Sequence, residues 1–484
     1  KRSLEPMVPY PETLFRNISE DAICKIHEAG LRILQAPGIR IEDPKIRERL
    51  CDRGCAVTGE RVAISRDCAQ SALSRVTRRL ALTCPGGTSV NLQPNYTATH
   101  TTGGMPFIID RHSGRRRYAR SADLISLTHL INGLEQLDIN CAMTYLEDVP
   151  PAINQLKQCE LLLRYSLKPV YVALSSPRQL EYMVELFRVA ETALLPAKNS
   201  ALGILGISPE SPLYFPRSTT AVIETAVTAE IPVVMLPAPI AGFTSPLTIA
   251  GSLAQQHASM LAFTCIADSI KPRIQLIYGA RLAFTNLRTG NSIWGLPEVG
   301  MAGAAAAQLA RHSGFLSDVY GFSSSACTSD HQAGCEKSLN GILPVLAGAN
   351  LISGFGGLAS LTTASHEQLV IDNETFRTMM RIARGFRVNT DTLAEDVIAS
   401  AASGEDYVTN AHTIRHLKAG ELFIPELAFD DIWQGWTSPD GDNISCRAKD
   451  KVETLLREPT ENSLSQEAEK EFSRIMAAAR TALI

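Results

Sequence analysis

The residues best equipped for chemistry in this sequence are scattered aromatics and a few cations at the ends of apolar runs. Tyr96, Tyr145, Trp294 and Phe355 offer ring faces, and a desolvated cation over such a face gains about 0.5–2 kcal/mol. Together they are candidates to cage a quaternary ammonium group. Any one of them has core packing as its bland alternative. Arg281, Asn286, Arg288 and Trp294 share an unusually long loop, Gly279 to Pro297, and loops of that length are commonly functional. The stretch Ser323-Ser-Ser-Ala-Cys-Thr-Ser-Asp-His331 is small and polar, which leaves room for a ligand. His331 is a candidate to face that space, whereas Ser329 or Asp330 has the simpler role of capping the next helix.

Other chemistries find little support. There is no Walker loop, no G-x-S-x-G elbow and no H-E-x-x-H. The close cysteine pairs Cys51/Cys55 and Cys327/Cys335 lack a matching histidine pattern, so no metal site is assigned. Arginines 111, 115, 116, 117 and 120 surround a hairpin, Phe107–Asp110 with Arg115–Ala119. They suit a solvated tip, a phosphate or a partner protein.

The elements that must position these residues show one rhythm. From about residue 88 to 388, short apolar strands alternate with helical segments: Thr97–Thr102 (or Thr88–Leu92), Asp138–Thr144, Pro169–Leu174, Ala201–Ile207, Ile231–Leu236, Arg273–Tyr278, Asp318–Phe322 and Asn350–Gly354. Near-continuous apolar strands that each lead into a helix imply a parallel sheet covered on both faces. Eight such units predict a TIM (β/α)8 barrel, with a doubly wound open sheet as the competitor. Residues 1–87 read as an N-terminal α+β cap too poor in apolar residues for its own core, with Ser19 capping a helix. Residues 389–484 read as a C-terminal helical extension packed on the barrel or on an oligomer neighbour. In such a barrel the active site lies in the loops after the strands.

Bulk properties agree with an enzyme of small molecules. The 484 residues are 45% hydrophobic and carry a net charge of only −4, which favours neither nucleic acid nor an anionic membrane. No run approaches the roughly 20 apolar residues of a membrane span. The 11 cysteines are an odd count on a long chain, so reduced thiols and a cytoplasmic protein are expected.

Three segments in order, Thr102-Gly-Gly-Met-Pro, Asn286-Leu-Arg-Thr-Gly with Gly295-Leu-Pro-Glu298, and Asp330-His-Gln-Ala-Gly-Cys-Glu336, resemble landmarks of the trimethylamine methyltransferase superfamily across nearly the whole chain. Founding members carry pyrrolysine in the region similar to Ser323–His331, where this chain has only standard residues. The resemblance therefore implies the non-pyrrolysine branch, whose characterised members demethylate glycine betaine and related quaternary amines. It also implies cob(I)alamin supplied in trans by a separate corrinoid protein, and a homo-oligomer.

On that reading Tyr96, Arg281, Trp294, His331 and Phe355 bind substrate, with Arg281 first and His331 second as partner for a carboxylate, and Arg288 bracing the loop. The corrin faces Gly103, Gly104, Ser324 and Gly356. No residue is assigned proton transfer, because a quaternary ammonium already has a neutral amine as leaving group and needs positioning above all. Proline betaine, carnitine and γ-butyrobetaine are neighbouring substrates. Competing classes are a non-catalytic betaine-binding barrel and a lyase or isomerase acting through His331 and Glu298.

Overall fold

The computed structural model describes residues 15–83, 89–194, 201–404, 406–433, 436, 443–457 and 464–484. Eight parallel strands form the centre: β1 (Ala98–Thr101), β2 (Asn140–Cys141), β3 (Val170–Ala173), β4 (Gly203–Ile207), β5 (Val233–Met235), β6 (Leu276–Ala280), β7 (Leu316–Tyr320) and β8 (Leu351–Phe355). Each pairs with the next, β8 pairs with β1, and a parallel bridge from His100 to Ile139 closes the ring. Eight helices follow the strands in turn: α1 (Ser121–Gly133), α2 (Asn154–Tyr165), α3 (Pro177–Leu194), α4 (Arg217–Thr228), α5 (Ile249–Ile270), α6 (Pro297–His312), α7 (His331–Leu346) and α8 (His366–Arg384). This is the (β/α)8 barrel that the alternation predicts, and the open-sheet alternative falls away.

Period-two alternation divides the core. Ala98, Ile139, Ile204, Val234, Ile277, Leu316 and Leu351 point into the lumen, while Val170, Val172, Leu205, Val233 and Val319 face the helices. A hairpin before β1 seals the lower end: Leu80–Thr83 pairs antiparallel with Ser89–Leu92, and Leu80, Leu82, Val90 and Leu92 join the lumen cluster. The earlier of the two segments offered for the first barrel strand is thus a plug strand. Thr88 itself lies outside the described residues.

The cap shares the barrel's core. Its helix Glu20–Gln35, capped by Ser19, buries Ile23, Ile26, Leu31 and Leu34 in the cluster that holds the barrel's outer face. Gly30 lets it approach α5: a Cβ there would lie 2.7 Å from the His257 ring. At the other end of the chain, helix Ile444–Arg457 packs on α8 and α1, and helix Gln466–Leu483 packs on α3. No helix among the described residues is long and apolar enough to cross a membrane. Of residues 436–443, rich in Ser, Pro, Gly and Asp, only Trp436 and Asn443 lie within the described residues.

His366, at the start of α8, is 2% exposed and meets Ser126 through Nε2 at 3.0 Å. Burial, then the charge of Arg111, depress its pKa to about 3. The unfolded chain, with an ordinary imidazole, therefore binds more protons between pH 3 and 6.5. This contribution is complete above pH 6.5 and is lost as pH falls. Urea unfolding should show about 2 kcal/mol less stability at pH 5 than at pH 7 from this residue, a difference that His366→Gln removes. An identical pH slope in the variant would refute it.

Candidate active site

At the upper, C-terminal end of the barrel the lumen turns polar. On β7 the inward face reads Leu316, Asp318, Tyr320; on β1 it reads Ala98, His100; on β3 it carries Tyr171. Arg281 follows β6 in the same phase as Ile277 and Gly279. Its Nη2 donates to Asp318 Oδ2 at 2.8 Å, and Nη1 donates to the carbonyls of Asp318 (2.9 Å) and Ala280 (3.1 Å). Of the five guanidinium donors, the Nε–H and one Nη2–H stay outside these three bonds. The guanidinium lies 4.4 Å from the centre of the Tyr320 ring, and Trp294 stands edge-on to Tyr320 at 4.9 Å. Trp294 and Tyr320 are half-buried, so part of each ring is open to the mouth.

His100 completes the cluster. Its Nδ1 sits 2.7 Å from the Thr101 carbonyl and its Nε2 3.0 Å from Asp318 Oδ1. The Nε2···Oδ1 contact joins β1 to β7 across the lumen. Burial on its own would raise the Asp318 carboxyl, but the Arg281 charge and then His100 outweigh it and hold it below the usual range. Burial and the Asp318 charge push the Cys141 thiol up to about 12, so it stays protonated. Gly206 makes room for Tyr171: a Cβ there would come within 2.9 Å of the phenol oxygen.

The long loop after β6 is tied to the loop after β7. Trp294 and Gly295 donate their N–H groups to Ser325 Oγ (3.3 and 3.1 Å), and Asn340 Nδ2 donates to the carbonyls of Trp294 and Ser323. Glu336 accepts from Ser324 Oγ and Ser325 N–H at 2.7 and 2.8 Å. Beneath them the buried pair Lys337–Asp372 (2.9 Å) holds the strand ends: Lys337 donates to the carbonyls of Phe322 and Gly354, and Asp372 accepts from Gly356 N–H.

Of the sequence-derived candidates, Arg281 and Trp294 meet across Tyr320. Three others are corrected. Phe355 is fully buried, stacked 4.1 Å from Phe322 and edge-on to Phe376, facing α8 and away from the mouth. The register of β8 shifts between Ile352 and Phe355, where Gly354 has φ of +106°, and a one-residue slip moves a side chain to the other face. Tyr96 precedes β1 and packs on the lower lumen cluster, at the wrong end. His331 is exposed at the first turn of α7, whose cap is Asp330, accepting from Ala333 N–H at 3.2 Å. No hydrogen bond or ion pair joins His331 to Glu298, which removes the support for an acid–base pair between them.

The residues expected to face a corrin divide likewise. Gly103 and Gly104 are exposed beyond β1, and a Cβ at Gly104 would meet nothing within 4 Å. Ser324 is buried beside Glu336, and a Cβ at Gly356 would lie 2.5 Å from Leu369; neither lines the mouth. Tyr145, beyond β2, is 37% exposed. Arg288 is exposed in its loop, and the hairpin arginines are largely self-satisfied: Arg117 pairs with Asp110 and Asp123, Arg120 with Glu147, and Arg116 covers Phe107. Cavities of about 390 and 430 Å³ lie at the N-terminal end, lined by segments such as Lys271–Gln275 and His312–Gly314 that precede strands. That face of a barrel serves stability, so the cluster at the opposite end is the stronger candidate.

The model of the trimethylamine methyltransferase (MTTB) family matches residues 3–483. The chain belongs to the trimethylamine methyltransferase family. It is 25% identical to trimethylamine methyltransferase MttB of Desulfitobacterium hafniense over 454 residues, 93% of this chain and 90% of that protein. It is 26% identical to a glycine betaine methyltransferase of the same species over 457 residues, 91% and 90% of the two chains. The monomethylamine methyltransferase MtmB of Methanosarcina barkeri shares the fold, with a TM-score of 0.52 at 14% identity over 96% of this chain and 88% of that one. Within this trimethylamine methyltransferase family member, the three segments that resemble family landmarks follow β1, β6 and β7, the second running into the start of α6 and the third lying mostly in the first turns of α7.

Missed in the sequence were His100, Asp318, Tyr171 and Tyr320. The available signal was an ionisable residue on the inward phase of an otherwise apolar strand. Asp318→Asn strips the counter-charge from Arg281 and should destabilise the fold by about 3–5 kcal/mol in urea unfolding. A loss under about 1 kcal/mol would show that the pair does not organise the lumen.

Proposed function

We propose that this chain takes a methyl group from a quaternary amine that also bears a carboxylate, glycine betaine first, and passes it to a reduced corrinoid on a separate protein. The observation that carries this reading is Arg281, buried in the upper lumen and lying over Tyr320 beside Trp294: a cation and aromatic faces within one substrate length. A carboxylate is drawn to the Arg281–His100 end. The ammonium then lies toward the Tyr320 and Trp294 rings, which hold a cation mildly.

A mild grip suits the reaction. Positive charge on nitrogen fades as the methyl departs, so a carboxylate against the ammonium would favour the ground state over the transition state. Asp318 is kept from that role by its own bonds to Arg281 and His100. The leaving amine is neutral, so no side chain has to deliver a proton, and positioning is the main contribution of the protein. The bound corrinoid supplies cobalt(I), the nucleophile that accepts the methyl. On this chain, Gly103 and Gly104 offer an open, side-chain-free rim over which a flat macrocycle can approach. Proline betaine, carnitine and γ-butyrobetaine present the same two charges at other spacings.

Anaerobic mixing with cob(I)alamin and each amine should form methylcobalamin, read by absorbance, with glycine betaine or one of these neighbours. Failure with every quaternary amine would overturn the reading. In calorimetry, Tyr320→Ala should weaken glycine betaine binding by roughly 10-fold or more, whereas Arg116→Ala on the hairpin leaves it unchanged. Arg281→Lys should weaken glycine betaine far more than choline, which has no carboxylate. Equal losses for both ligands would place the carboxylate elsewhere.

A further inference from the structure

Beyond the barrel, helices Thr390–Leu393, Glu395–Ala402 and Ala411–Lys418 bury none of their residues. Helices this short do not persist in water on propensity alone. What joins the first to the third is a polar knot on Asp391. His412 Nε2 lies 2.9 Å from the Asp391 main-chain oxygen, and His416 Nε2 lies 3.2 Å from Asp391 Oδ2. Arg415 donates to Oδ1 at 2.5 Å. The i, i+4 spacing puts both imidazoles on one helix face, ring centres 4.2 Å apart. One ligand atom from each of Asp391, His412 and His416 lies within 4.8 Å of the other two.

His416 makes this more than a surface ion pair. Its Nε2 is buried from solvent yet has no hydrogen-bond partner. The nearby Oδ2 is close enough in distance but lies outside hydrogen-bond geometry, so the nitrogen is left short of a partner in a knot that is otherwise satisfied. A cation between the two imidazoles and the carboxylate supplies that partner.

We propose that Asp391, His412 and His416 form a binding site for a divalent transition-metal ion, zinc first, that clips helix Ala411–Lys418 to helix Thr390–Leu393. Two imidazoles and one carboxylate suit zinc, whereas calcium and magnesium prefer all-oxygen sets. Three protein ligands leave one tetrahedral position for water or the Asp391 carbonyl. Arg415, on the second carboxylate oxygen, orients the first as an outer partner. None of the three ligands belongs to the lumen cluster, so the ion acts on the fold of this extension and takes no part in methyl transfer.

The test uses untagged full-length protein, stripped with chelator and titrated with zinc against a chromophoric competitor. The exposed thiols Cys24, Cys51, Cys327, Cys335 and Cys446 are a rival zinc source, so a variant with all five changed to serine serves as the parent. The expected result is about one equivalent of zinc per chain, and slower proteolysis within residues 389–426 when zinc is present. His416→Gln and His412→Gln should each weaken binding by more than about 100-fold, beyond the 10–100-fold that an outer partner such as Arg415 carries. Circular dichroism checks that each variant is folded, and cobalt(II) absorption reports tetrahedral nitrogen and oxygen ligation. No stoichiometric zinc on the parent, or equal affinity in parent and His416→Gln, would overturn the proposal.

Discussion

A guanidinium can stay inside a closed barrel only if a carboxylate stays with it, and the pairing of Arg281 with Asp318 orders the upper lumen around that constraint. Isolated, either charge would cost several kcal/mol in desolvation. Together they fix the end of β6 against the middle of β7 and hand the second Asp318 oxygen to His100 on β1. Tyr320 and Tyr171 close over the pair because inward positions recur every second residue. Gly206 leaves the Tyr171 ring its space.

The same economy explains why the mouth is asymmetric. On one side Lys337 and Asp372 clamp the ends of β7 and β8 from beneath, so their loops are dense: Ser324, Gly356 and Phe355 are all buried there. On the other, beyond β1, Gly103 and Gly104 are exposed. On the proposed function, a substrate held by Arg281 and the Tyr320–Trp294 rings would approach from the exposed glycine side. For chemistry that needs alignment and little else, a rigid floor and one open rim are the useful combination.

Family membership and barrel physics meet at this point from independent directions. The family match covers residues 3–483, and the curated relatives act on methylated amines according to their names. The barrel places its only described tandem of buried cation and ring faces at the end where such folds carry their active sites. The C-terminal extension follows different rules. Its last two helices pack on the barrel, while helices 390–418 bury nothing and rely on polar contacts centred on Asp391.

Much of this was open to reading in the chain itself. The eight strand-forming runs, Ser19 and Asp330 as caps, the hairpin near Ser113 and the long excursion that carries Arg281 and Trp294 all follow from local pattern, because period, capping and turn chemistry are properties of neighbouring residues. The partners were not legible. Asp318 and His100 are 218 residues apart, and only ring closure brings them together. Phe355 sits on the inward phase by simple alternation, yet a register shift at Gly354 turns it to the helices, and Tyr96 lies at the sealed end because a plug hairpin took the lower lumen. Local sequence decides which elements form; which side chains share a buried charge is decided by closure, register and the cost of leaving any ion alone in the dark of the core.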